Sequence, residues 1–254
     1  DNCGDGVASA IIIRTCLPNV DVSFLQYGTL EHKTLEARPN TLFVDFSPHA
    51  DRVDDFIKVE AIVLDHHKTQ KDVVTKFGEL GVFGDEDLEP GVSGAVLAFR
   101  EVFMNIKPAC DVSTSYYHLP KFAKLIGIRD TWQKNHECWV EANELTHAIT
   151  FWPIQTLLEE ATTHMFWTIS GSNMRTQMFH VGSVIYKKNL NKAKQIGEGA
   201  FRFNTNKGTR VAAFGGLKAA SDVAEYLDKS VDLAIGFGMF VQDEHLSLIF
   251  SLRS

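Results

Sequence analysis

Ala61-Ile62-Val63-Leu64-Asp65-His66-His67 decides how this chain reads. The four apolar residues form a short run of the buried-strand type. They deliver an acid and two imidazoles, all able to ligate a metal, to the carboxyl end of that strand. Open α/β sheets hold their ligands in the crevice at this end. One strand earlier the pattern repeats, because Thr41-Leu42-Phe43-Val44 runs into Asp45. Cys3-Gly4-Asp5-Gly6 in turn leads into Val7–Cys16, an apolar stretch that reads as a buried helix. Three strand or loop ends then aim oxygen and nitrogen donors at one place, the arrangement from which metal-dependent phosphoryl-transfer sites are built.

Outward from this centre, strands alternate with helices. Asp21-Val22-Ser23-Phe24-Leu25 alternates like a strand, and Pro48–Lys58 carries Val53, Phe56 and Ile57 at helical spacing. Gly91-Val92-Ser93-Gly94 opens a helix over Ala95–Phe103, with Ser93 placed to cap its amino end. Such an end attracts anions, which makes Ser93 a candidate substrate contact. A further amphipathic segment over 120–128 runs into Gly127-Ile128-Arg129-Asp130. All four tryptophans (Trp132, Trp139, Trp152, Trp167) then fall in a stretch read as helices, Trp132 to His180. Val181–Gly199 reads as a long connecting helix, basic on one face. Beyond it come a strand over Thr209–Phe214, a helix over Ser221–Lys229, and strands over Val231–Phe240 and His245–Arg253. The expected fold class is α/β. A mainly parallel sheet with flanking helices occupies 1–180, a connecting helix 181–199, and a smaller α/β domain 200–254.

The 254 residues suffice for one large domain or two smaller ones, and 44% hydrophobic content supports a real core. A net charge of −7 disfavours long duplex nucleic acid, whose binders carry a basic footprint. It does not disfavour a small anionic substrate, since bound divalent ions bring their own positive charge. Cys3, Cys16, Cys110 and Cys138 are scattered and form no CxxC pair, the usage of reduced thiols in a cytoplasmic protein. No apolar run approaches the ~18–20 residues of a membrane span, so no membrane partner is expected. An oligomer is compatible with everything above. The sequence opens on Asp rather than Met, and its last segment reads as a strand without a following turn; it is read as cut at both ends.

Each candidate also has an ordinary reading. Asp45 can cap the next helix, as Ser47 can. His66 and His67 can be one core and one surface histidine, and Asp65 can orient a histidine instead of touching a metal. Asp130 can form an ion pair with Arg129. Arg253 can be a solvated arginine or, in a cleft, a phosphate clamp. The joint pattern outweighs its parts, because a buried carboxylate is costly unless it is paired or holds a metal.

Taken together, these residues resemble the DHH phosphoesterases, a superfamily of RecJ-type exonucleases, nanoRNases, cyclic-dinucleotide phosphodiesterases, exopolyphosphatases and family II pyrophosphatases. Cys3-Gly4-Asp5-Gly6 resembles the first motif, Asp-x-Asp-Gly, with Cys3 in place of the first aspartate. Phe43-Val44-Asp45 resembles the second, Asp65-His66-His67 the third, and Gly127-Ile128-Arg129-Asp130 the fourth. The carboxyl-terminal part resembles the associated DHHA1 domain, with Ser251-Leu252-Arg253-Ser254 matching its substrate-facing strand. The glycine-rich segment that normally follows in that domain would lie beyond Ser254, and the histidine often found upstream of the first motif would precede residue 1.

The resemblance implies two-metal hydrolysis with Mn²⁺, or with Mg²⁺ as the alternative. Asp45 would bridge two ions, with Asp5, His66 and Asp130 completing the better-defined site. His67 would contact the phosphate or help protonate the leaving oxygen, and Asp65 would orient the histidines. The second domain would close over the substrate and contribute Arg253. The expected substrate is a small phosphodiester, either a short oligonucleotide or a cyclic dinucleotide, for which the aromatic middle could offer stacking surfaces. Polyphosphate or pyrophosphate is the alternative. A DHH domain with a degraded site and a structural role is the reading that Cys3 keeps open.

Overall fold

The computed structural model describes residues 3–106, 119–162, 172–216, 220–227, 230–242 and 245–253. It is mixed α/β, with a small parallel sheet early in the chain and a second sheet late. The chain divides into two compact units, Asp1–Ser183 and Val184–Ser254.

In the first unit, α1 (Gly4–Cys16) is apolar on nearly every side, and Val7, Ala8 and Ile11–Ile13 are all buried. A helix of this kind belongs in the middle of a core. It is surrounded by α6 (Leu119–Asp130), α7 (Trp139–Phe151) and α8 (Ile154–Thr162). Trp139 is buried in the same core and Trp132 and Trp152 pack against it, so these three rings are committed largely to packing. Trp167 lies outside the described residues.

The sheet beside this core is short. β1 (Leu42–Val44) pairs in parallel with β2 (Ile62–Asp65), and β2 with β3 (Gly81–Phe83). Between β1 and β2 lie a 3₁₀ turn, Ala50–Arg52, and α3 (Val53–Lys58). The short helices α2 (Leu30–Thr34) and α4 (Lys71–Thr75) flank the strands. The β1–β2 connection buries Val53 and Phe56 against Phe43 and Val63. The strand expected over Asp21–Leu25 is not formed. Its alternation is real, since Val22 and Phe24 lean on the core while Asp21 and Ser23 face solvent. One-sided burial produces that pattern, but without a ladder partner it remains extended coil. The helix expected at Ala95–Phe103 begins as α5 (Gly94–Leu97) and continues as a π-helical segment, Ala98–Phe103.

α9 (Ser172–Glu198) runs through the division between the units. In the second unit, β4 (Phe201–Asn204), β5 (Arg210–Gly215), β6 (Leu233–Gln242) and β7 (His245–Arg253) form one sheet in that order. The β4–β5 and β6–β7 pairs are antiparallel. β5 and β6 are parallel and joined through α10 (Ala220–Leu227), whose Val223 and Leu227 pack with Ala212, Phe214 and Ala234. Arg253 ends β7 opposite Ala234; its side chain, for which a phosphate contact is expected, lies outside the described residues. Among the described residues, no helix is long and apolar enough to cross a membrane.

Candidate metal centre

Asp45 follows β1 directly and adopts a left-handed backbone, with φ of 57°. Asp is one of the few residues besides glycine that visits this region. The strained turn is held by Asp45 N–H donating to Leu64 O at 2.9 Å. The side chain then rests on Gly94, where an added Cβ would come within 2.9 Å of Asp45 Cγ. Glycine is required there because the helix start and the carboxylate share the same space.

Asp5 sits in the first turn of α1, and its carboxylate reaches the amino end of α5. It accepts from Ser93 Oγ at 2.9 Å, Gly94 N at 2.6 Å and Ala95 N at 2.9 Å. This corrects the expectation for Ser93. The anion attracted to that helix end is a side chain of the protein itself, and the fully buried Ser93 hydroxyl is turned towards Asp5 instead of a substrate. Desolvation works to raise Asp5, but hydrogen bonding and charge from His66, with the Ala95 N–H, hold it below the usual carboxylate range.

His66 is buried, and its Nε2 faces three carboxylates. Asp45 Oδ1 lies at 3.2 Å, Asp130 Oδ2 at 3.3 Å and Asp5 Oδ2 at 3.5 Å. Burial opposes its protonation, yet bonds to Asp45 and Asp5 and the carboxylate charges push the imidazole up to about 11. The carboxylates respond differently. Asp45 is raised to about 7 by desolvation and then by the charge of Asp5. Asp130, the last residue of α6, is raised to about 8, again by desolvation first and Asp5 second. Its side chain keeps 30% of its surface exposed and feels the charges of both Asp5 and Asp45. Asp130 turns to His66, while Arg129 lies over the rings of Trp132 and Trp139; the expected Arg129–Asp130 pairing gives way to these contacts.

Asp65 is fully buried and has four donors. His67 N–H and Nδ1 approach Oδ1 at 3.1 and 2.7 Å, while Tyr27 Oη–H and Ser47 Oγ–H reach Oδ2 at 3.0 and 2.5 Å. Desolvation raises this group, and bonds from His67 and Ser47 more than reverse it, leaving it below its ordinary range. Asp65 therefore orients His67, whose ring is 41% exposed, and makes no contact of this kind with His66. Ser47 is itself held, through its carbonyl, by the buried His32. Gly28 N–H donates to His32 Nδ1, so Nε2 must carry the proton given to Ser47 O. Tyr27, Ser47 and His32 were not expected as site residues. Single positions in coil and short helix carry no spacing signal, and only the folded chain brings them to Asp65.

Two donor sets arise: Asp45, His66 and His67, and Asp5, His66 and Asp130, each with its ligand atoms within 4.8 Å of one another. Three carboxylates around one imidazole leave an excess of buried negative charge, which a divalent cation would balance. Oxygen donors with a few imidazoles suit Mn²⁺ or Mg²⁺ better than a closed thiolate zinc site. Cys3 donates its thiol proton to Asp45 Oδ2 at 3.1 Å and accepts from Gly6 N at 3.1 Å. Although the residue is exposed at its edge, desolvation of the thiol and then the carboxylates of Asp45 and Asp5 push its pKa upward, so it is a neutral helix cap. Comparison with protein-family models, with curated proteins and with solved structures finds no match to this chain.

Proposed function

We propose that this chain is a metal-dependent phosphohydrolase of the DHH type, acting on a small phosphodiester such as a short oligonucleotide or a cyclic dinucleotide. One observation carries the reading: carboxylates from α1, the end of β1 and the end of α6 converge on the Nε2 of His66, at the end of β2, within 3.2–3.5 Å. Those are the positions at which four separate motifs place Asp5, Asp45, His66 and Asp130.

These residues, with His67, would hold the ions, His66 belonging to both donor sets; the resemblance implies that Asp45 would be shared as well. Mn²⁺ or Mg²⁺ in this position would supply Lewis-acid polarisation of a phosphoryl oxygen and a nucleophile at neutral pH. The protein's own part is positional. Asp5 is fixed by the amino end of α5, so its carboxylate cannot swing away. Asp65 locks His67 through Nδ1, which leaves the opposite ring nitrogen to meet a phosphate oxygen or pass a proton to the leaving group. Tyr27 and Ser47 keep Asp65 ionised and turned towards that ring.

The net charge of −7 favours a small substrate over long duplexes. Polyphosphate or pyrophosphate remains the second substrate class. Cys3, a neutral cap on Asp45 where the resembling motif has a carboxylate, is the observation behind a non-catalytic reading. The test is release of mononucleotide from a dinucleotide, run beside release of phosphate from polyphosphate, with Mn²⁺ and with Asp45→Asn as the blank. Dinucleotide cleavage that Asp45→Asn abolishes supports the proposal. Inertness towards both substrates favours the structural role.

A further inference from the structure

His66 has a second nitrogen, and nothing so far assigns it. Nδ1 is buried and has no hydrogen-bond partner among the described residues. A neutral imidazole carries one proton. If Nε2 gives its lone pair to a cation among Asp5, Asp45 and Asp130, the proton must sit on Nδ1. A buried N–H without an acceptor is destabilising, and metal-bound histidines nearly always give this proton to a carboxylate, carbonyl or water.

The carboxylate facing Nδ1 is Glu86, with Oε1 at 3.7 Å. That separation is beyond a hydrogen bond by several tenths of an ångström. Glu86 lies on an acidic turn whose other members are engaged elsewhere. Asp85 is paired with Lys71 at 3.0 Å, and Asp87 with Lys68 at 3.1 Å. The start of this turn is fixed to the end of β2 by Gly84 N–H donating to Asp65 O at 2.9 Å. Gly84 also lies against His66, where an added Cβ would stand 3.1 Å from His66 Cβ. The turn is therefore anchored, and the Glu86 side chain, 31% exposed, needs only a rotamer adjustment to close on Nδ1.

We infer that Glu86 is a positioning residue: it accepts the Nδ1 proton of His66 and so fixes the tautomer that presents Nε2 to a divalent cation. This rests on the metal reading given above. The test is Mn²⁺ binding to the whole chain, read from the loss of the free-ion electron paramagnetic resonance signal, together with ¹⁵N histidine spectra of the Mg²⁺-loaded protein. Glu86→Ala should weaken Mn²⁺ binding about 10–100-fold. Glu86→Gln, which keeps an acceptor oxygen, should lose less, and Asp87→Asn should bind as the parent does. The spectra should show His66 protonated at Nδ1. Unaltered affinity in Glu86→Ala would overturn the inference while leaving the metal site standing, and so would an equal loss in Asp87→Asn, which would point to general charge. If the parent chain binds no Mn²⁺, the metal reading fails, and the role of Glu86 with it.

Discussion

Asp65 and Asp45 stand at the ends of neighbouring strands, both buried, and their chemistry diverges. Asp65 is held below the ordinary carboxylate range, whereas Asp45 is raised to about 7. Asp5 and Asp130 divide the same way, one lowered and the other raised to about 8. Burial does not separate the pairs, because Asp5 and Asp65 are the deeper ones. Supply of donors does. Asp65 has four and Asp5 has two backbone N–H groups and a hydroxyl, while Asp45 has a thiol and a shared imidazole. The protein itself supplies the donors of the first pair; the second keeps charge that a divalent cation would balance.

Asp65→Ala should give the largest effect. It strands Ser47 Oγ and the partly buried Tyr27 Oη and releases two donors of the half-exposed His67, at a cost of about 3–5 kcal/mol. Urea denaturation in the presence of a chelator measures it. Asp45→Asn should behave oppositely under those conditions, with stability equal to the parent's or higher, because a repelling carboxylate is gone. Its loss should show instead as Mn²⁺ affinity reduced about 100-fold or more, equivalent to about 2.7 kcal/mol. If Asp45→Asn unfolds as readily as Asp65→Ala, the distinction between the two pairs collapses.

Gly94→Ala sharpens the contrast by touching both halves. Its methyl group would overlap Asp45, which is pinned through its backbone to Leu64, and it would crowd the N–H that Gly94 gives to Asp5. Overpacking of this kind costs about 1–3 kcal/mol. Thermal unfolding with and without Mn²⁺ should show both a lower melting point and a smaller gain from the ion. A melting point unchanged by the substitution would mean that α5 and Asp45 are not tightly apposed.

The sequence announces the donor-poor half better than the donor-rich half. Asp45, His66 and Asp130 follow periodic elements, and a polar residue at the end of an apolar run stands out. The partners that saturate Asp65 do not: Tyr27 lies in coil, His32 in a five-residue helix, and Ser47 beside a proline. For Ser93 the helix-capping pattern was legible and the anion was not, because an aspartate 88 positions away in the chain reaches that helix end. Likewise Asp21–Leu25 shows a strand's alternation, which records one-sided burial and says nothing of a ladder. The three-residue β3, which contains a glycine, left no periodic trace at all.

The smallest effect expected is the pH dependence of metal stabilisation. Asp45 and Asp130 titrate near 7 and 8 in the folded chain, against 3.8 ordinarily. Their contribution to stability is thus complete below about pH 4 and is lost as pH rises through 7–8. His66, raised from 6.5 to about 11, acts in the same sense over a higher window. Asp5 and Asp65, both lowered, contribute above their ordinary range and are constant from neutral pH upward. His32, lowered by burial, gains only up to about its ordinary value of 6.5. In chelator, these two groups should therefore weaken the folded state progressively from about pH 4 to about pH 8, with His66 continuing the loss above its ordinary 6.5. A bound cation replaces the protons that Asp45, Asp130 and His66 Nε2 would otherwise hold. The gain from Mn²⁺ should then grow with pH, by about 1 kcal/mol per unit once the exposure of Asp130 is discounted, or roughly 2–4 °C in melting temperature. Thermal unfolding with and without Mn²⁺ at several pH values checks it. Asp45→Asn should reduce the slope, and a gain independent of pH in the parent would mean that Asp45, Asp130 and His66 hold no protons for the ion to displace.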